Sequence, residues 1–216
     1  MLKAADLVVK FEAATVVRGL ALEVKPGEAA ALVGPNGAGK TTTLKAVMGI
    51  YRHGGSVWLN GVDVTNLAAR DRAKLGMGYS PEDRGLFPSL TVRENLELPV
   101  KALRLPEDRV EVALTYVEEV KKFMDKKAGL LSGGQQKLVA LARALVVGRS
   151  ALLLDELFEG LSPKMADAVK LSLRAYLNDH KPAALLAEST TSYLKGLASR
   201  VYYIERGEVV RVSEEL

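Results

Sequence analysis

The run EAAALV (28–33) passes directly into GPNGAGKTT (34–42), and KTTTLKAVMG continues as a helical segment. Six residues without alternation suit a strand buried on both faces of a parallel sheet. A glycine-rich turn leading from such a strand into a helix is a phosphate-binding loop when the fixed positions Gly-x-x-x-x-Gly-Lys-Thr are filled, as they are by Gly34, Gly39, Lys40 and Thr41. Glycine is needed because successive N–H groups must converge on one polyphosphate at a helix N-terminus. Pro35, Asn36, Gly37, Ala38 and Thr42 complete the candidate nucleotide-binding segment. Lys40 is expected to reach the β and γ phosphates, and the Thr41 hydroxyl to ligate Mg2+.

A phosphate loop needs a carboxylate at a neighbouring strand end. ALLLDE (151–156) supplies Asp155 for Mg2+, through water, and Glu156 to polarise the attacking water. AALLAE (183–188) is a third buried-strand candidate, so the core reads as α/β. DLVVKFEA, LALEVKPG and SVWLNGVDV read as antiparallel strands near the N-terminus, with a tight turn at Asn60-Gly61. From Pro81 to about Leu131 the pattern is helical, with Thr91 and Glu94 spaced as a capping box. RVYYIERGEVVRV reads as a hairpin turning at Arg206-Gly207.

LLSGGQQ (130–136) raises a separate question. Ser132 is a good N-cap, Gly133 and Gly134 leave backbone N–H groups open, and QQKLVALARALVV continues as a helix. This is a second anion-binding helix start without a lysine and threonine of its own. The economical reading is that it covers the γ-phosphate of a nucleotide held by another copy or a related subunit.

Composition narrows the classes. Thirty Lys and Arg against 26 Asp and Glu give +4 over 216 residues, spread along the chain, without the basic stripe that nucleic-acid binding requires. No signal peptide and no apolar run near 18 residues occurs, and cysteine is absent. These features point to the cytoplasm, with membrane association through a partner. No Asn-Lys-x-Asp motif supports a GTPase, and a small-molecule kinase leaves Ser132-Gly133-Gly134 unexplained.

GPNGAGKTT, LLSGGQQKLVALARAL and LLLDE, in this order, resemble the nucleotide-binding subunit of an ATP-binding cassette (ABC) transporter over essentially the whole chain. The resemblance implies a P-loop NTPase (RecA-like) core, formed by 1–80 and 132–216 with an N-terminal antiparallel β subdomain, and an inserted α-helical subdomain at 81–131. It also implies two subunits packed head to tail, each ATP lying between one phosphate loop and the partner's Ser132, Gly133, Gly134 and Gln135. Phe11 stands where the family stacks an aromatic on adenine; core packing in the first strand is the alternative.

Two positions depart from the family. Glu82 occupies the place of a glutamine that touches Mg2+ and the water, and Ser189 that of a histidine that contacts the γ-phosphate. Both are carried over as site residues, Glu82 also as a metal contact. Neither His53 nor His180 is positioned to replace the histidine. PEDRGLFPSLTV and LLAES resemble the ATPases of branched-chain amino acid importers in particular. Leu157 and Phe158 replace the usual Pro and Ser or Thr in a loop that crosses the dimer interface.

By resemblance the insertion presents a groove to transmembrane permease subunits, with Leu86, Phe87 and Leu90 as its lining or, as the alternative, plain core residues, and an external substrate-binding protein belongs to such systems. The leading expectation is an ATPase subunit powering amino-acid import. A lipid or lipopolysaccharide exporter ATPase and an ATP-dependent dimerisation switch with little hydrolysis are the alternatives.

Overall fold

Residues 29–33 carry no polar side chain, so the strand they form has to be covered on both faces. The computed structural model, which describes residues 1–12 and 14–214, places it inside a sheet sandwiched between two apolar cores. In chain order the elements are β1 (Leu2–Phe11), β2 (Ala14–Val24), β3 (Ala29–Val33), α1 (Lys40–Val47), β4 (Gly54–Leu59), β5 (Val62–Asp63), α2 (Ala69–Lys74), β6 (Met77–Ser80), α3 (Val92–Leu103) and α4 (Arg109–Tyr116). They continue with α5 (Gly133–Val147), β7 (Ala151–Asp155), α6 (Pro163–His180), β8 (Ala183–Glu188), β9 (Arg200–Glu205) and β10 (Glu208–Ser213).

Among the described residues the main sheet has the order β10-β9-β3-β8-β7-β6, parallel except for β10. The period of two along each strand sorts its side chains between the cores. Ala29, Ala31, Val33, Leu152, Leu154, Ala184 and Leu186 meet α3, α4, α5 and α6 on one face. Ala30, Leu32, Leu153 and Leu185 meet α1 and a smaller antiparallel sheet, β2-β1-β4-β5, on the other.

Parallel strands all end on one side, so Gly34, Glu82, Asp155 and Ser189 follow neighbouring strand ends. A crevice at the carboxyl ends of such a sheet is where ligands bind. The register fixes their depth: Val33 pairs with Glu188 and Asp155 with Ala187. Gly34 has to be glycine, since a Cβ there would lie 2.2 Å from the Ile204 carbonyl oxygen on β9. The β9–β10 turn closes on the loop from the other side. Its Gly207 N–H donates to Ala38 O (2.9 Å), its carbonyl accepts from Arg18 N–H (2.9 Å), and a Cβ would sit 2.1 Å from Val16 O.

Two expectations change. The strand expected at LALEVKPG begins six residues earlier, because Gly19 (φ 71) takes up an irregularity that lets β2 run on as one strand. The segment expected to be helical from Pro81 is turn and bend up to Leu90, and it holds only α3, α4 and two 3-10 turns (Glu118–Phe123, Ala128–Leu130). Pro88 and Pro106 interrupt it, and buried Asn95 ties it down through Phe87 N–H (2.9 Å) and Phe87 O (3.1 Å). The capping box at Thr91 and Glu94 forms. No helix of the described residues is long and apolar enough to cross a membrane.

Candidate nucleotide site

Gly39 (φ 106) is the N-cap of α1 in a conformation that side chains avoid, and it offers no cap to the helix. Thr43 turns its hydroxyl back to Gly39 O (2.8 Å), so the first-turn N–H groups of α1 lack a side-chain partner. Lys40 is buried, and its ammonium donates to Gly34 O (2.8 Å), Pro35 O (3.3 Å) and Ser189 Oγ (3.2 Å) while pairing with Glu156 Oε1 (3.1 Å). It is thus held at the centre of the loop it must serve.

Glu156 continues the β7 ladder by one bond, its N–H donating to Ala187 O (2.8 Å), and then turns left-handed (φ 47). That turn swings its carboxylate toward Ser189, whose hydroxyl donates to Oε1 (2.7 Å) and whose N–H donates to Oε2 (3.2 Å). Asn36 Oδ1 is a second acceptor for the same hydroxyl (3.1 Å). Thr41 donates to Asp155 Oδ1 (3.1 Å), but buried Oδ2 has no partner. Burial raises the Asp155 carboxyl to about 6; the Thr41 hydrogen bond opposes this, and like charge on Glu82 and Glu156 adds to it. An orphaned carboxylate oxygen beside a threonine hydroxyl, disfavoured as an anion by its surroundings, is a donor set that a divalent cation fits.

Thr41, Glu82, Asp155 and Glu159 line a cleft of about 570 Å3 together with Arg84 and Lys137. It adjoins a second, of about 330 Å3, formed by Val16, Asn36, Gly37, Gly39, Lys40, Thr41, Thr42, Glu82 and Glu156. The residues expected at the phosphate end therefore come together. Phe11 is 42% exposed, edge-on to Tyr51 at 5.1 Å, and lines neither cleft. His53 holds Arg72 (3.2 Å) and His180 holds Tyr116 (3.1 Å), both outside the site.

Ser132, Gly133, Gly134 and Gln135 also line neither cleft. Ser132 caps α5 in a full capping box with Gln135 and is exposed together with Gly133. Gly134 has a packing role besides: a Cβ would lie 2.7 Å from Met165 Sδ on α6. Arg84 donates to Gln136 Oε1 (2.8 Å) and Arg143 to Gly85 O (2.8 Å), latching α5 to the loop that carries Glu82. Leu157 and Phe158 are buried, Phe158 stacking on Tyr193 at 5.4 Å, so the loop after Glu156 is anchored inward.

Sequence reading missed Val16, Lys137 and Glu159 as site-lining residues. Only Glu159, three positions after Glu156, carried a local signal. It also missed Glu188, buried at the end of β8, whose carboxyl is pushed up to about 8 by burial and by Glu156.

A family model described as ABC transporter matches residues 17–159. The probable branched-chain amino acid transport ATP-binding protein LivF of Archaeoglobus fulgidus is 37% identical over 190 residues, spanning 87% of this chain and 80% of that protein. The lipopolysaccharide export system ATP-binding protein LptB of Haemophilus influenzae is 32% identical over 215 residues, spanning 97% and 89%. A dimeric, post-hydrolysis structure of the ATP-binding cassette MJ0796 bound to ADP and Pi shares the fold with a TM-score of 0.87 at 24% identity, covering 99% of this chain and 98% of that one.

Proposed function

This chain belongs to the ABC transporter ATP-binding family, and we propose that it hydrolyses ATP at the cleft around Lys40, Asp155, Glu156 and Ser189 to drive uptake of branched-chain or other hydrophobic amino acids. The observation that carries the site is the position of the Glu156 carboxylate, between the Lys40 ammonium (3.1 Å) and the Ser189 hydroxyl (2.7 Å), directly after Asp155. For the cargo, the LivF likeness supports import, and the resemblance of PEDRGLFPSLTV to importer ATPases points the same way.

In this reading Lys40 exchanges the Gly34 and Pro35 carbonyls for β- and γ-phosphate oxygens, and the uncapped N–H groups of α1 add the positive end of a helix. Glu156 orients and deprotonates water in line with the γ-phosphate, while the Ser189 N–H holds that carboxylate and its hydroxyl turns from Glu156 to donate to the departing phosphate. Thr41 and Asp155, with Glu82 nearby, would hold Mg2+, which when bound would supply positive charge against the phosphates. Closure against a second ATPase subunit brings that subunit's Ser132–Gln135 over the γ-phosphate and links binding to dimerisation. Residues 81–131 move with closure and pass it to permease subunits at the inner face of the membrane through Phe87 and Leu90, while Leu86 packs against the core. Phe87 is 47% exposed, as a docking residue requires. An external binding protein completes the importer.

Glu156→Gln is expected to keep ATP binding and to accumulate a dimer, read by light scattering with saturating ATP. Wild-type hydrolysis by this variant would remove Glu156 from its role. Export of a lipid or lipopolysaccharide is the second reading, favoured by LptB likeness along 97% of the chain. Purifying the membrane complex from its native source and identifying the companion subunits decides between them: an amino-acid permease with a binding protein supports import, and a lipid-extracting permease overturns it.

A further inference from the structure

One buried charge in the cleft takes no part in the mechanism above. Lys137 lies on α5, two residues past the Ser132–Gln135 cap, and is 7% exposed. A lysine on a helix of this kind ordinarily extends along the surface and leaves its ammonium in water. This one turns inward and donates to the backbone carbonyl of Glu156 at 2.5 Å, on the wall of the cleft that holds Thr41, Glu82 and Asp155. Desolvation lowers its pKa, while the negative field of Glu159, Glu188 and Glu156 opposes the fall. The hydrogen bond to that carbonyl and the surrounding carboxylates are what offset the desolvation of the ammonium.

The carbonyl it grips belongs to a residue held at φ 47, a left-handed conformation that side chains disfavour. That dihedral aims the Glu156 carboxylate at Ser189 and Lys40. We propose that Lys137 is a positioning residue for ATP hydrolysis: by fixing the Glu156 peptide from α5, it holds the carboxylate in the orientation that activates water. The inference rests on the assignment of Glu156 given above. Because α5 is also latched to Arg84 through Gln136, Lys137 ties the helix start that covers a partner's nucleotide to the carboxylate that acts on the chain's own.

The test uses the full chain. Lys137→Met keeps length and removes the donor; kcat is expected to fall about tenfold or more, since small misplacements near reacting atoms are costly, with KM and ATP affinity within about twofold. Lys137→Arg should recover most of kcat, and Lys137→Ala should regain rate with added propylammonium but not with sodium chloride of equal ionic strength. In a Glu156→Gln background, Lys137→Met should slow the residual rate no further. Wild-type kcat in Lys137→Met, equal loss of kcat and affinity, failure of both rescues, or additivity with Glu156→Gln each overturns the inference. If Glu156→Gln itself hydrolyses normally, the assignment of Glu156 fails first; if it is inactive while Lys137→Met is unimpaired, only the role of Lys137 falls.

Discussion

Replacing Glu188 with glutamine isolates the energetics of the buried charge behind the site. Glu188 ends β8, is 6% exposed and accepts from the Phe158 N–H at 3.3 Å, a bond that an amide oxygen can also accept. Its carboxyl ordinarily titrates near 4.5, but burial first, and then Glu156, push it up to about 8. Between those values the folded chain keeps a proton that the unfolded chain has released, so stability falls as pH rises through this window and is fully present below it. At about 1.4 kcal/mol for each pH unit the interval is worth about 5 kcal/mol; relaxation and water entry bring the expected cost to about 2 to 3 kcal/mol. Urea unfolding followed by the fluorescence of Trp58, the single tryptophan, measures it across pH 5 to 9. Glu188→Gln should match the parent near pH 5 and become progressively more stable toward pH 9. The gap should shrink in a Glu156→Gln background, where the like charge is gone. A difference that stays flat or reverses with pH would refute the account.

Two further perturbations probe the cleft, and a third probes the support of α1 away from it. Ser189→Ala removes the hydroxyl shared by Glu156, Asn36 and Lys40; hydrogen bonds to charged groups are worth about 1.5 to 3 kcal/mol, so steady-state kcat should fall about tenfold to a hundredfold. Asp155→Asn should abolish the Mg2+-dependent part of ATP affinity, measured by calorimetry with and without the metal. Because the Asp155 carboxyl is raised to about 6, the folded chain loses stability as pH rises from about 4 to 6, and the same variant should be the more stable protein above that range in metal-free urea unfolding. Arg72→Met strips donors from Ala46 O, Val47 O, Thr65 O and Leu67 O beneath α1 and should cost about 3 kcal/mol in the same assay.

The legible parts of the site are those written locally. The loop from Gly34 to Thr42 follows its strand without a gap, Asp155 and Glu156 follow three leucines, and Ser132 stands three residues before the Gln135 that completes its capping box. The parts that were not legible depend on register and packing across the sheet. Glu188 reads as the polar end of a strand, and only the pairing of Val33 with Glu188 and Asp155 with Ala187 sets it behind Glu156. Lys137 and Arg72 carry charges that a sequence assigns to solvent, and both are buried because backbone carbonyls distant in sequence meet them. The segment 14–19 of β2 lay outside the strand read from the sequence, and Gly19 is passed within it at a shift of register.

The turn at Arg206-Gly207 contributes no atom to catalysis, yet its glycine is clasped between Ala38 and Arg18. At the proposed site, grip on a phosphate is thereby a property of the finished chain. A side chain placed at Gly207 would spare every residue from Gly34 to Thr42 while displacing the turn from Val16 and Ala38, so nucleotide affinity would report on a hairpin far along the sequence.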